Sequence, residues 1–513
     1  MNRVPRSLSP VLLSVTASVL CAATSSAGAT PDDTAITIYS SEQPGAIAPE
    51  LYRPVPGSSS ARMNVPGYAL VRQERDVKID SGRSTLKFAD VAALIDPTTV
   101  TFTSLSEPRT RVLEQSYQFD LVSTDKLLSK YIDRPIVVER EAGGHAETIN
   151  GTLLSSVDGL VLRTSDGAIQ ALRTYSSVRF PELPGGLDTR PTLVWDISSP
   201  RAGDQRSRVT YQTGGVTWWT DYNLIFAEAQ DANTGTLDLS AWVSIINQSG
   251  ATYHDARLKL IAGDVHRVAP EMRGSAARYA MQAAVADAAA APQFTEQPFF
   301  EFHLYALQRR TTLPDNSTKQ IELFDEARQI PARKVLMYAG AAPSYAYAGP
   351  LTERNYGVQS NKKVDVYLSF RNEKARGLGI PLPAGRIRVS KLDPSDGSLE
   401  FIGEDRIDHT PRDEEVRVKL GSAFDVVGER RQTDFAVDTH ARSMEEQIEI
   451  RLRNHKEQPV QVLVKENLYR WTNWKILTHS QDFRKEDAHT IIFPVEVPKD
   501  GETVVSYRVR YTW

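Results

Sequence analysis

The stretches AWVSIIN (241–247), VDVYLSFRN (364–372) and QIEIRLRN (447–454) carry one pattern three times. In each, apolar residues stand two, four and six positions before an asparagine. They are Ala241, Val243 and Ile245 before Asn247, Val366, Leu368 and Phe370 before Asn372, and Ile448, Ile450 and Leu452 before Asn454. Side chains alternate across a strand, so each trio shares one face of a pleat. An asparagine at a strand end can fold its carboxamide onto the following backbone groups and stabilise a turn. Alternation then resumes at Ala256, Leu258, Leu260 and Ala262, at Ile387 and Val389, and at Val460, Val462 and Val464. These are strand-loop-strand units. The second and third asparagines are about 82 residues apart, the length of an immunoglobulin-like sandwich, and the first two are about 125 apart. An alanine-rich insertion at 275–293 accounts for the difference. Period-2 patterns also arise by chance, so the recurrence is either true repetition or a likeness between hairpins.

Outward from these stretches the chain reads as mainly β: several β-sandwich, immunoglobulin-like units, a small SH3- or Sm-like barrel, and few helices. Residues 1–29 read as a signal peptide, with Arg3 and Arg6 before an apolar run from Val11 to Ala23 and small residues at Ala27-Gly28-Ala29. The run is shorter than the roughly 20 residues of a membrane-spanning helix. Residues 30–66 are rich in proline and serine and read as a disordered tether. Residues 67–124 read as an N-terminal β unit. Residues 125–183 read as a small meander barrel, with short β-branched segments separated by Gly-Gly and Asp-Gly turns. A sandwich core over 184–350, a second sandwich over 351–430 and a C-terminal immunoglobulin-like sandwich over 431–513 complete the expectation. Ala276 to Ala291 is the one stretch with strong helical character, although a loop would also suit it.

Cys21 is the only cysteine and lies inside the expected signal, so no disulfide or thiolate chemistry is expected in the exported chain. The formal net charge of −4 becomes about −6 without Arg3 and Arg6. A mildly acidic chain without a basic stripe is a poor partner for nucleic acid. No transmembrane helix is expected, because Arg278, Gln282 and Asp287 interrupt the alanine-rich run.

Tyr211 to Gly263, with YQTGGVTWWTDYNLIFAEAQ and LDLSAWVSIINQSGATYHDARLKLIAG, resembles the core of a bacterial exported family of unknown function that includes the mucoidy-inhibitor-A-like proteins. GLGIPLPAGRIRV (377–389), GEDRIDHTP (403–411), LGSAFDV (420–426) and the closing VVSYRVRYTW extend the resemblance over 68–513. It implies an envelope location and a β-sandwich core, and no activity. Mucoidy-inhibitor-like members carry a long coiled coil before the shared core, where this chain has the small barrel.

Chemistry-bearing patterns are sparse. Nine histidines form no HExxH or HxH pattern. Asp264, His266 and Glu271 are a weak metal set, and no GxSxG or SxxK arrangement is present. The G-x-G at Gly377–Gly379 precedes prolines and a strand, which suits a shaped turn and not a phosphate loop. Asp393, Asp396 and Gly397 read as a hairpin turn. No catalytic, cofactor or metal residue is therefore expected. Trp218, Trp219, Asp221 and Tyr222 form the candidate binding surface, because adjacent tryptophans on a strand face opposite ways and an exposed one could stack on a sugar or peptide. The alternative is that both pack, one in a core and the other beneath a neighbouring unit.

Val505, Tyr507, Val509, Tyr511 and Trp513 would also suit the closing strand of an outer-membrane β-barrel, but charged residues on both faces of most strands argue against one. The expectation is an exported protein of the periplasm or outer surface, binding or scaffolding an envelope protein or polysaccharide. A hydrolase acting on envelope polymers is the alternative.

Overall fold

The computed structural model describes residues 32–39, 47–52, 65–118, 123–142, 145–184, 190–229, 233–263, 293–340, 349–355, 360–393 and 395–513. The expected signal peptide, the alanine-rich segment and the Asp264, His266 and Glu271 set lie outside the described residues.

The chain opens with β1 (Asp33–Tyr39) and a one-turn helix α1 (Pro49–Tyr52). The first sandwich unit follows with β2 (Tyr68–Ile79), β3 (Gly82–Ala89), β4 (Ile95–Ser104) and β5 (Arg111–Gln118). Helix α2 (Thr124–Lys130) then leads into β6 (Pro135–Ala142), β7 (His145–Ser155), β8 (Leu160–Thr164), β9 (Ile169–Leu172) and β10 (Ser177–Arg179). These five strands form their own sheet around Leu128, Tyr131, Val138, Leu153 and Leu162. Asp158 and Gly159 both take positive φ at the β7–β8 turn, as the Asp-Gly reading requires. The chain then returns to the first unit through β11 (Thr192–Ser199) and β12 (Gly203–Gly214). The first unit is therefore not confined to 67–124. β11 sits between β3 and β5, and β12 between β2 and β4, so the small five-stranded sheet is an insertion in this unit.

Beyond Gly215, β13 (Val216–Glu228) begins a second pattern. The second unit contains β14 (Thr234–Asn247), β15 (Tyr253–Ala262), β16 (Phe294–Phe299), β17 (Phe302–Leu307), β18 (Thr311–Leu313) and β19 (Ser317–Tyr338). The third contains β20 (Lys363–Arg371), β21 (Gly385–Leu392), β22 (Leu399–Ile407) and β23 (Glu415–Asp438). The fourth contains β24 (Ser443–Asn454), β25 (Val460–Asn467), β26 (Trp474–His479), β27 (Arg484–Lys485), β28 (Thr490–Val497) and β29 (Gly501–Thr512).

The three asparagines make equivalent clamps. All are at most 1% exposed. Asn247 Nδ2 reaches the carbonyls of Ala251 (2.8 Å) and Pro314 (3.1 Å), and its Oδ1 accepts the Ser249 N–H. Asn372 reaches Ile380 (2.7 Å) and Pro411 (3.0 Å) and accepts from Gly379 N–H. Asn454 reaches Gln458 (2.8 Å) and Pro498 (3.0 Å) and accepts from Lys456 N–H. Two residues after each proline the backbone turns left-handed, at Asn316 (φ 51°), Asp413 (φ 64°) and Asp500 (φ 44°), and a strand follows. That strand returns beside the one ending in the asparagine, as the pairs Asn247–Ser317, Arg371–Glu415 and Asn454–Gly501 show. The recurrence is structural repetition, not a likeness between hairpins.

Units share strands. β19 pairs β14 with its first part and β20 with its last, and β23 does the same with β20 and β24. The boundary expected at 430 therefore falls inside a continuous strand. The parallel pairings among the described strands, β1–β15, β13–β21 and β19–β25, recur at corresponding places. In each, the second strand of a unit docks on a strand that lies earlier in the chain, outside that unit. This explains why part of the expected tether is folded: β1 fills that place for β15, and Ile36 and Ile38 are fully buried. β26 lies on the outer edge of β29, where β20 and β24 lie on β19 and β23. One apolar cluster runs through the first three units, and a second fills the fourth. Val505, Tyr507, Val509 and Tyr511 point into that second cluster, so the residues that suited a barrel's closing strand face a protein core.

These joints can be tested at two places. Asn454→Ala leaves buried carbonyls and an N–H without partners, and should lower stability in urea unfolding by about 2–4 kcal/mol; an unchanged midpoint would contradict the clamp. Burial opposes ionisation of Asp33, yet hydrogen bonds and charges from Arg310 (2.7 Å) and Arg257 hold its carboxyl below the ordinary value. A depressed carboxyl stabilises above its unfolded value and loses that contribution as pH falls through the folded one. Amide exchange of 35–39, corrected for intrinsic rates, should therefore speed up below about pH 4, and Asp33→Asn should remove this pH dependence.

Candidate functional site

The four candidate residues do not form one surface. Alternation along β13 sends Trp218 and Tyr222 into the main core and Trp219 and Asp221 to the other face. Trp218 meets Tyr305 edge-on at 6.4 Å, and the Tyr222 hydroxyl donates to Pro383 O at 2.7 Å. Tyr305 donates likewise to Pro381 O, so two buried tyrosines hold the glycine-proline turn that leads into β21. On the opposite face Asp221 accepts from Trp219 Nε1 (2.7 Å), Ser244 Oγ (3.1 Å), Arg386 (3.1 Å) and Arg388 (3.3 Å). Trp219 is 4% exposed. Its cover is α1 and its flanks: Tyr52 lies 5.5 Å from its ring, and Ile47, Leu51 and Val65 complete a small apolar cluster with Ile246. The open stacking platform is thus corrected to two packed tryptophans. The covering residues belong to the stretch that reads as a tether by its proline content.

Two groups of charges give no signal of their own in the sequence. Both occupy the inward phase of strands, at the end of a sandwich away from its asparagine. In the fourth unit Arg430 (β23), Glu446 (β24) and Glu466 (β25) continue the inward rows of Val426, Ile448 and Val464. Arg430 Nε donates to Glu466 at 2.9 Å, and the Tyr507 hydroxyl donates to the same carboxylate at 2.5 Å. Arg470 lies 3.2 Å from Glu446 and donates to the carbonyls of Leu351 (2.9 Å) and Glu353 (2.8 Å). These four charged groups are at most 3% exposed. Burial pushes the Glu446 carboxyl up despite the opposing charges of Arg470 and Arg430. Burial works against the Arg430 charge, but Glu466, Tyr507 and Glu446 together outweigh it and hold the guanidinium charged. The arrangement ties the segment before β20 to the last sandwich, a structural task.

In the third unit the corresponding end is open. Phe226, Val366, Leu368, Ile402 and Leu420 wall a cavity of about 260 Å³ whose remaining lining includes Glu228, Lys334 and Lys391. Glu228 continues the inward row of Leu224 and Phe226, and Lys391 that of Ile387 and Val389. Lys391 Nζ lies 2.5 Å from Glu228, and Lys334 Nζ 3.6 Å. Burial lowers the Lys334 ammonium, with Glu228 opposing. Burial likewise works against Glu228, but Lys391 and Lys334 hold its carboxyl below the ordinary value. The cavity exists because β23 bends here. Register slips opposite Val366–Tyr367, and Gly421, at φ 149°, has no neighbour within 4 Å of where a Cβ would stand.

The acidic turn at Asp393 and Asp396 is ordinary structure. Asp393 accepts from Ser395 N–H and Asp396 from Ser398 N–H between β21 and β22, as a hairpin requires. Among the described residues no group of three or more His, Cys, Asp or Glu side chains could hold a metal ion. No described helix is long and apolar enough to cross a membrane. Compared with known proteins, the chain matches no family model and no curated protein.

The buried charges give a test of their structural task. Glu466→Gln leaves Arg430 without its counter-charge and should destabilise the chain by about 3–5 kcal/mol, whereas replacing both by Met and Leu should recover most of that loss. Equal destabilisation by the single and double changes, read by chemical denaturation, would contradict the pairing.

Proposed function

We propose that this chain is an exported cell-envelope protein, of the periplasm or outer surface, that acts as a non-catalytic binding or scaffolding component. The observation that carries the reading is the continuous strand spine. Four sandwich units, joined through the shared strands β19 and β23 and by the chain running directly from β12 into β13, make an extended array of surfaces held in fixed relation. Such an array suits holding partners in place, while independent units on linkers would move relative to one another by default. The leader-like residues 1–29 and the resemblance to mucoidy-inhibitor-A-like proteins support the envelope location. An envelope protein or polysaccharide is the proposed partner.

Hydrolysis of envelope polymers is the competing reading. Glycoside cleavage generally uses two carboxylates about 5–10 Å apart. The open cavity instead holds Glu228 between two lysines, an arrangement that fixes the carboxylate as an ion and suits charge recognition more than proton transfer.

The test is fractionation followed by co-sedimentation. The chain should leave the cytoplasm with its first residue at Thr30, and the purified protein should pellet with isolated envelope material without releasing soluble sugar or peptide fragments. Retention in the cytosol would overturn the location, and fragment release would replace binding by hydrolysis.

A further inference from the structure

The geometry points to the open end of the third sandwich as a binding site for a small amphipathic anion, an apolar body ending in one carboxylate. The observations are the cavity, its walls and its charge balance. At roughly 30 Å³ for each solvent-sized group, a volume of about 260 Å³ admits about nine non-hydrogen atoms. That is the small end of ligand sites. Phe226 and Leu368, at 5% and 1% exposure, and the partly buried Ile402 and Leu420 give the inner wall an apolar character that would exclude a sugar or a polyphosphate.

Charge then selects the head group. Glu228 accounts for one of the two ammonium charges, so the lining holds one positive charge in excess. Just outside the lining, Lys456 adds positive field at Lys334 and Asp393 negative field at Lys391, so the excess within the lining stands. A single carboxylate would complete the balance, whereas an amine would add repulsion and a neutral alcohol would leave the excess uncompensated. Charge-assisted hydrogen bonds from partly desolvated ammonium groups are about twice as strong as neutral ones. Lys391, whose side chain is 40% exposed, stands nearer to solvent, and Lys334, at 21%, stands deeper. The ligand's carboxylate would therefore meet both while its apolar body lies along Leu368 and Phe226.

The contrast with the fourth unit supports a cavity set aside for a ligand. There the same end is filled by Arg430, Arg470, Glu446 and Glu466, whose charges are paired with one another. The third unit instead has Gly421 in the lining, with open space where a side chain would stand. The proposal does not rest on the envelope-binding reading: co-sedimentation can fail while small-ligand binding succeeds, and the converse.

Isothermal titration of the full chain with octanoate, octanol and octylamine, each below its micelle concentration, tests it. Octanoate should bind at one site per chain, octanol about tenfold or more weakly, and octylamine not measurably. Lys391→Met should weaken octanoate about tenfold or more and leave octanol unchanged. Ile402→Trp, filling the cavity from its partly exposed wall, should abolish both. Circular dichroism and thermal melts of each variant establish that it is folded. Absence of octanoate binding to the folded wild-type chain would overturn the proposal. So would equal affinity for octanoate and octylamine, or indifference to Lys391→Met.

Discussion

A carboxamide sealed inside a protein has both a donor group and an acceptor to satisfy, and that requirement fixes the joint between strands in three of the four units. Asn247, Asn372 and Asn454 each hold their own loop on one side and a proline carbonyl of a facing loop on the other. Neither loop can shift without leaving a polar atom unpaired in a dry interior. The proline locks one φ angle, the residue two places later turns left-handed, and the returning strand is delivered in register with the first. The sandwich depends on this small polar knot more than on any single apolar contact.

Strand length turns separate sandwiches into one body. β19 and β23, with 22 and 24 residues, are several times the ordinary strand and belong to two cores each. Ile321 and Leu323 lie in the main cluster while Leu336 and Tyr338, on the same strand, lie in the last. A strand of that length must bend between cores, and the register shifts along β14–β19, β20–β23 and β23–β24 are where it does so. One bend leaves room beside Gly421, and the other unit closes the equivalent space with paired charges. Two outcomes of one architecture, an open end and a sealed one, thus follow from what stands in the inward phase past the apolar run.

Much of this is legible from alternation alone. The strand ends at Asn247, Asn372 and Asn454, the strands that resume after their loops and the small β unit over 125–183 follow from period-2 patterning and turn residues, whereas the insertion of that unit within the first sandwich does not. Strand sharing is not legible, because a bent strand that changes partners reads as two strands with an interruption. β1 is hidden by its surroundings: a seven-residue strand within a proline- and serine-rich stretch gives too short a pattern to outweigh composition. The packing of the tryptophan on the outer face is hidden for the same reason, since the cover of Trp219 comes from that stretch. The charged groups are present in the pattern as charged residues continuing an apolar row. Glu446 stands two before Ile448, and Glu466 two after Val464. Such a residue reads as the frayed end of a strand unless its counter-ion, 24 residues away for Glu446 and 36 for Glu466, is known.

The small strand Trp474–His479 sets a limit on the whole assembly. It occupies the edge of β29 that earlier units leave for their successor. Unused backbone donors and acceptors on such an edge would invite another copy to join end to end, as in a growing fibre. By taking Tyr507 to Tyr511 as its partners, this six-residue strand replaces a long open edge with a short one that offers an incoming strand few groups to pair with.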